Sequence, residues 1–495
     1  MSYPRAICTR CGYETVISTQ VGSCPKCEGR LLIDYDVEEL KEKVQGEVKS
    51  ALQPGMWKYH SLLPLENIEN RVSLGEGGTY FHKAEGLAST LDLDSLYLKD
   101  ETMNPTGSFL DRGTAVEITA LRHAGVNSVY CWSTGNLAAS VVAYAARAAL
   151  RCAVYIPRRG NVDVGKLYQI LAYAADVQTV SGDRGVMARA KNENGASHNI
   201  RSSNPYFLEG IKTTTFEIIE QMEWKTPDWL VLPMGSGGHL SMAQRGLQQL
   251  RQVGLIEDID SKLLGVQAKG CSPIVDAFQR NTGISPVPSV STIAIDIGIK
   301  DPSCGQLALE ALRDSGGMAL AVSDEEILNA VRTLAKTEGI FAEPASATTI
   351  AALKKSVESG EIDASDTVVC IITSTGLKYP DIAKSFVRNR EDLKNIIRRV
   401  EGPRFTMNLG ETKILIMQIL YSGESYGYGI WKTLKEEYDT KISIPSVYQH
   451  LNELRHNGLI VKTREEKTIR KTSRVYYALT EKGREVLTHI DEISD

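Results

Sequence analysis

The chain has 495 residues, of which 42% are hydrophobic and 24% charged, with a net charge of -5. That length exceeds one ordinary core and points to roughly two to four domains of soluble, globular composition. No apolar run is long enough to span a bilayer, so no membrane partner is expected. The mild acidity excludes a polyanion-binding surface spread over the whole chain, and any nucleic-acid surface must be local.

The first residues, "MSYPRAICTRCGYE", lack the apolar region of a secretory signal. An odd cysteine count of nine fits a reducing, cytoplasmic location. Five of them, Cys131, Cys152, Cys271, Cys304 and Cys370, are scattered and read as small buried hydrophobes. The other four lie in residues 1–34, as "CTRC" and "CPKC" with twelve residues between the knuckles. Cys8, Cys11, Cys24 and Cys27 are thereby expected to close a tetrahedral four-thiolate site, a structural zinc ribbon. A rubredoxin-like iron site satisfies the same spacing. So short a segment buries little core, so the metal should hold it together. Cys24→Ser is expected to unfold the ribbon and leave the ligand cleft of the middle region largely intact.

From about residue 65 the pattern changes. "SVYCWSTG" leads into "NLAASVVAYAARAAL", "DWLVLPMGSGG" into "HLSMAQRGLQQL", and "TVVCIITSTG" is a further apolar run ending at glycine. Strand, glycine-containing turn and helix in repetition predict an α/β fold with parallel sheet and ligand-binding turns at the carboxyl ends of strands.

Seven pieces carry a resemblance: "LGEGGT" (74–79), "NPTGSFLDRG" (104–113), "STGNLAAS" (133–140), "NPYFLEGIKT" (204–213), "PMGSGGHL" (233–240), "EGIFAEPASA" (338–347) and "TSTGLKYP" (373–380). In this order they resemble threonine synthase and its fold-type II relatives that use pyridoxal phosphate (PLP), over residues 65–390. The archaeal members of that family also carry an N-terminal cysteine ribbon. The resemblance implies a two-lobed parallel-sheet PLP-binding domain. Gly235, Ser236, Gly237, Gly238 and His239 would hold the cofactor phosphate, Asn136 its phenolic oxygen and Thr373 its pyridine nitrogen.

Two positions depart from the pattern. Leu110 stands where the family's lysine forms a Schiff base with PLP and moves protons, and leucine has neither capacity. Phe207 stands where threonine synthases usually place an arginine for the substrate phosphate, and a phenyl ring is no bidentate fork. Lys99, Lys212 and Lys378 lie in cleft-forming motifs, but family members keep lysines at corresponding places besides the Schiff-base lysine. No catalytic residue is therefore assigned, and PLP is expected to bind non-covalently, alone or joined to an amino acid.

"NREDLKNIIRRVEGPRFTMN" reads as a helix running into a linker at 391–407. Residues 408–495 form the last domain. "SYGYGIWKTL", "IPSVYQHLNELRHNGLI" and "RVYYALTEKGREVL" resemble PadR-like winged-helix regulators. Val447, Leu451 and Leu454 share one helical face, with Gly458 as a stop, which leaves Ser446, Tyr448, Gln449 and Asn452 for a major groove. Lys462, Arg464, Lys467, Arg470, Lys471 and Arg474 outnumber Glu465 and Glu466 in the wing that follows, an arrangement suited to phosphates. The joined halves suggest a non-catalytic, threonine synthase-like sensor regulating transcription through DNA, with a homodimer expected. The rival is a PLP-dependent lyase with an unusual base and an accessory winged helix.

Overall fold

The computed structural model describes residues 5–19, 23–50, 55–65, 67–157, 164–180, 197–385, 410–467 and 473–494. The chain divides into two compact units, 1–386 and 387–495. The 391–407 segment, Arg470 and Lys471 lie outside the described residues. Among the described residues, no helix is long and apolar enough to cross a membrane.

The first unit opens with an antiparallel sheet of order β2-β1-β3, from β1 (Arg5–Cys8), β2 (Glu14–Val16) and β3 (Leu31–Asp34). Its larger sheet uses β4 (Tyr80–Lys83), β5 (Ser95–Asp100), β10 (Trp229–Pro233), β11 (Lys262–Ala268), β12 (Met318–Val322) and β13 (Thr367–Ile372). They run in the order β12-β11-β10-β13-β5-β4, parallel except for β4. A second, all-parallel sheet has the order β8-β7-β6-β9, from β6 (Ser128–Trp132), β7 (Arg151–Pro157), β8 (Asp176–Val180) and β9 (Ser197–Asn199).

The apolar runs of the central strands follow from burial on both faces. In β10, Trp229 and Val231 join a core with the Asp324–Thr337 and Pro344–Glu358 helices. Leu230 and Leu232 join another core with the Pro205–Gln221 and Gly238–Gln252 helices. Alternation across the pleat thus feeds two cores from one strand.

The Leu110–His123 and Pro205–Gln221 helices are joined by a fully buried charge network. Arg112 donates to Glu101 at 2.6 and 2.7 Å and to Glu217 at 2.9 and 2.7 Å. Asp111 accepts from the Thr106 backbone and hydroxyl, both at 2.7 Å. The "NPTGSFLDRG" segment is therefore fixed on both sides of residue 110.

The second unit has helices at Glu411–Tyr421, Gly427–Glu436, Ile444–His456 and Glu481–Ser494, and a sheet of order β14-β16-β15. Its strands are β14 (Ser425–Tyr426), β15 (Ile460–Lys467) and β16 (Ser473–Leu479). The expected hairpin is the antiparallel β15–β16 pair, with an irregularity between Lys462 and Glu465. Val447, Leu451 and Leu454 are fully buried in its core.

Candidate functional site: a cleft, a cysteine ribbon and a winged helix

A cavity of about 290 Å³ opens where β6 of one sheet and β10 and β13 of the other end. The turn after β10 forms its cradle. Gly237 has φ +87°, and a Cβ there would come within 2.8 Å of the Cys304 carbonyl oxygen. A Cβ on Gly235 would meet the Asp296 carbonyl oxygen and Ile297 Cα at 3.3 Å. Bare backbone is thus needed at Gly237, and a side chain at Gly235 would be tight. The Gly238–Gln252 helix begins here, and its first N–H groups, without intrahelical acceptors, suit an anion.

His239 stacks on Phe109, with ring centroids 4.2 Å apart and planes 9° from parallel. Both its ring nitrogens are buried without a hydrogen-bond partner. Burial lowers its pKa to about 4, so the ring is neutral at pH 7.

A polar wall faces the cradle. The Asn136 amide donates to Glu343 at 2.8 Å and its oxygen accepts from Lys378 at 2.9 Å. Burial, followed by the charge of Asp296, raises the Glu343 carboxyl to about 7. Asp296 is held by Lys166 at 2.5 Å and by the Tyr379 hydroxyl. The Thr373 hydroxyl lies 2.8 Å from that of Ser346. Leu110 begins its helix within an apolar cluster that contains Phe207, Leu208, Ile211, Met242 and Leu32.

The sequence-assigned Asn136, Gly235, Ser236, Gly237, Gly238, His239 and Thr373 all line this one cavity. Sequence reading missed Glu343 and Asp296, because their role depends on partners far along the chain. The available signal was Glu343 directly before Pro344, at a helix start. None of the three considered lysines lines the cavity. Besides Lys378 on Asn136, Lys212 pairs with Glu209, and Lys99 donates to Glu217, Gln221 and the Thr79 carbonyl.

The four ribbon sulfurs lie within 4.8 Å of one another, an all-thiolate set compatible with a zinc ribbon. Gly29 leaves room for them, since a Cβ there would lie 2.9 Å from Cys8 Sγ and 3.2 Å from Cys27 Sγ. The ribbon is tied to the rest of the first unit. Arg30 donates to the Ser303 carbonyl at 2.8 Å and to the Ser203 hydroxyl at 3.3 Å. Leu32 of β3 packs in the cluster that holds Leu110 and Phe207. Cys24→Ser is now expected to loosen the ribbon and also weaken PLP binding several-fold. Metal content and PLP titration of the variant check this, and unchanged PLP affinity would refute it.

In the second unit, Tyr448, Gln449 and Asn452 are exposed on the Ile444–His456 helix. Gln449 donates to Glu453 at 3.1 Å, and the Tyr448 ring covers Gly427, where a Cβ would come within 2.5 Å of it. Ser446 is part of the helix cap: its N–H donates to the Ser443 hydroxyl, and the two hydroxyls lie 2.8 Å apart. Lys462 and Arg474 are exposed, with the Arg474 guanidinium 4.9 Å from the Tyr426 ring centre. Arg464 is engaged, donating to Glu424 at 2.7 Å and lying 3.9 Å over the Tyr476 ring.

Two parallel sheets meeting at a glycine-lined cleft define the fold-type II class of PLP proteins. Residues 72–374 match the family described as pyridoxal-phosphate dependent enzyme, and residues 416–489 match the transcriptional regulator PadR-like family. The chain is 42% identical over 380 residues to a threonine synthase of Methanocaldococcus jannaschii, covering 76% of this chain and 93% of that protein. Against a threonine synthase of Mycobacterium tuberculosis the identity is 39% over 330 residues, covering 66% and 88%. Maize serine racemase superposes with a TM-score of 0.54 at 22% identity, covering 64% of this chain and 93% of the racemase, a likeness of fold alone. The chain belongs to the pyridoxal-phosphate dependent enzyme family, with threonine synthases among its relatives and a PadR-like domain at its C-terminus.

The cleft fits the cofactor that this family implies. Bare glycines at a helix start suit its phosphate, and the flat Phe109–His239 stack borders the space beside them.

Proposed function

We propose that the chain is a non-catalytic, PLP-responsive regulator of transcription. The observation that carries this reading is the commitment of its amines: residue 110 is leucine in an apolar cluster, while Lys99, Lys212 and Lys378 each donate to another side chain. Residues 235–239 would bind the phosphate, with Asn136 and Thr373 at the ring. The Asn136 amide spends one of its two N–H donors on Glu343, which leaves the second for the cofactor. Bound PLP supplies an aldehyde that accepts an amine. Leu110 moves no proton and forms no bond to it, so the cofactor stays exchangeable, alone or joined to an amino acid. The four cysteines hold zinc in a structural role.

The PadR-like unit supplies the output. As a homodimer it would read two half-sites about one helical turn apart. Gln449 and Asn452 would face bases, and Lys462 and Arg474 phosphates. Gln449→Ala or Asn452→Ala is expected to change sequence preference. Lys462→Ala with Arg474→Ala should weaken binding to all sequences and flatten the salt dependence by about one unit per lost phosphate contact. Binding titrations on selected and scrambled DNA at several salt concentrations check both outcomes.

Sensing requires a ligand with different affinity for free and DNA-bound protein, since equal affinity shifts nothing. The expected coupling is on the order of 5- to 150-fold in operator affinity. The test is an operator titration with and without PLP, then with PLP plus single amino acids, repeated on an Asn136→Ala, Thr373→Ala variant. The wild type should respond and the variant should not; no response from the wild type refutes the reading.

A second reading, a PLP lyase with an unusual base, draws support from Glu343, a carboxyl raised to about 7 in the cleft wall. Borohydride separates the two. A reduced, protein-bound cofactor in the wild type would favour the lyase.

A further inference from the structure

The wall of the cleft that carries Leu110 is apolar throughout. Phe109, Leu110, Leu137, Phe207 and Ile211 all line the cavity, and all belong to or pack against one hydrophobic cluster. Phe207 is fully buried, seated over Gly113, where a Cβ would come within 2.6 Å of its ring. No lysine or arginine lines this cavity among the described residues. Its acidic lining groups are the carboxyls of Asp296 and Glu343. The space beside the cradle therefore offers packing surface and no counter-charge for an anionic substituent.

We propose that the cleft binds PLP joined to an amino acid with an apolar side chain, and that this side chain packs against Leu110 and Phe207. The proposal rests on the regulatory reading above and names the class of its ligand. The amino acid supplies the amine that residue 110 lacks. Its nitrogen forms a C=N bond to the aldehyde carbon, the C=O bond breaks, and the carbonyl oxygen leaves with two amine protons as water. No oxidant or reductant is consumed. A carboxylate or phosphate on the side chain would be desolvated here without a cationic partner, which is disfavoured. Apolar contact is gained instead with each buried methylene.

The probes are borohydride-fixed phosphopyridoxyl adducts of leucine, alanine and aspartate, which cannot exchange, titrated calorimetrically into the full chain. The leucine adduct is expected to bind roughly 10- to 100-fold more tightly than the alanine adduct, with the aspartate adduct weakest. Phe207→Arg should invert the order of leucine and aspartate. Should that variant fail to fold, Phe207→Ala should reduce the preference for leucine over alanine. Three equal affinities, or an aspartate adduct that binds as tightly as leucine's, would overturn the apolar assignment even where free PLP binds. If neither PLP nor any adduct binds the wild type, the regulatory reading falls together with it.

Discussion

Leu110→Lys is expected to retain PLP through dialysis, with a visible absorption band and a borohydride-fixed cofactor on residue 110. Position 110 lines the cavity at the start of its helix, and the surrounding motif is intact. Arg112 and Asp111 anchor the segment through buried contacts that the substitution leaves untouched. Phe207 and Ile211 nearby disfavour a charged amine by desolvation, which enriches the neutral, nucleophilic form. The new lysine should not give good threonine synthase activity, because Phe207 supplies no grip on a substrate phosphate. Peptide mapping after reduction reads the result. A variant that binds PLP yet fixes none at residue 110 would show that position 110 does not address the cofactor.

Glu343→Gln is expected to stabilise the first unit at alkaline pH and leave it unchanged in acid. Burial, followed by the charge of Asp296, raises the Glu343 carboxyl from 4.5 to about 7, while Lys166, the Asn136 amide and Lys378 act in the opposite direction. Between those values the folded protein holds a proton that the unfolded chain has lost. Stability from this group is therefore fully present below pH 4.5, falls as pH rises through 7, and stays low above it. Glutamine fills the same space without charge and can still accept from Asn136. The gain at pH 8 has an upper bound of about 3 kcal/mol. Urea denaturation at pH 4.5 and pH 8 checks this. An equal gain at both values, or none at pH 8, would show that the carboxyl does not titrate in this window.

Much of the site was legible because it depends on local sequence. Two C-x-x-C knuckles bring four sulfurs together whatever surrounds them, and "GSGGH" after an apolar strand builds a cradle from its own backbone. The spacing of Val447, Leu451 and Leu454 likewise fixed the buried face of a helix. Partners remote in the chain were not legible. Asn136 reads as a free amide, yet Glu343 and Lys378 occupy it from more than two hundred residues away. Ser446 also meets the hydroxyl of the capping Ser443, and Arg464 is held by Glu424. The ribbon reads as a separate module, because nothing in "CEGRLLID" shows that Arg30 reaches Ser303 or that Leu32 packs with Leu110 and Phe207.

The contact between Phe207 and the residue-110 wall bears on how this cleft can change over evolutionary time. Phe207 lies over Gly113, one turn along from Leu110, and both residues share a single apolar cluster. A cation introduced at either position alone would be placed against a surface shaped for hydrocarbon. Substitutions in contact are seldom additive, so the effect of a lysine at 110 will depend on what occupies 207. Such epistasis acts as a ratchet. A charged cleft is reached in single steps only through a mutant that sets one cation against hydrocarbon, whereas exchanges among apolar residues remain open. Variation at this wall is therefore channelled toward changes in the size and shape of its apolar surface.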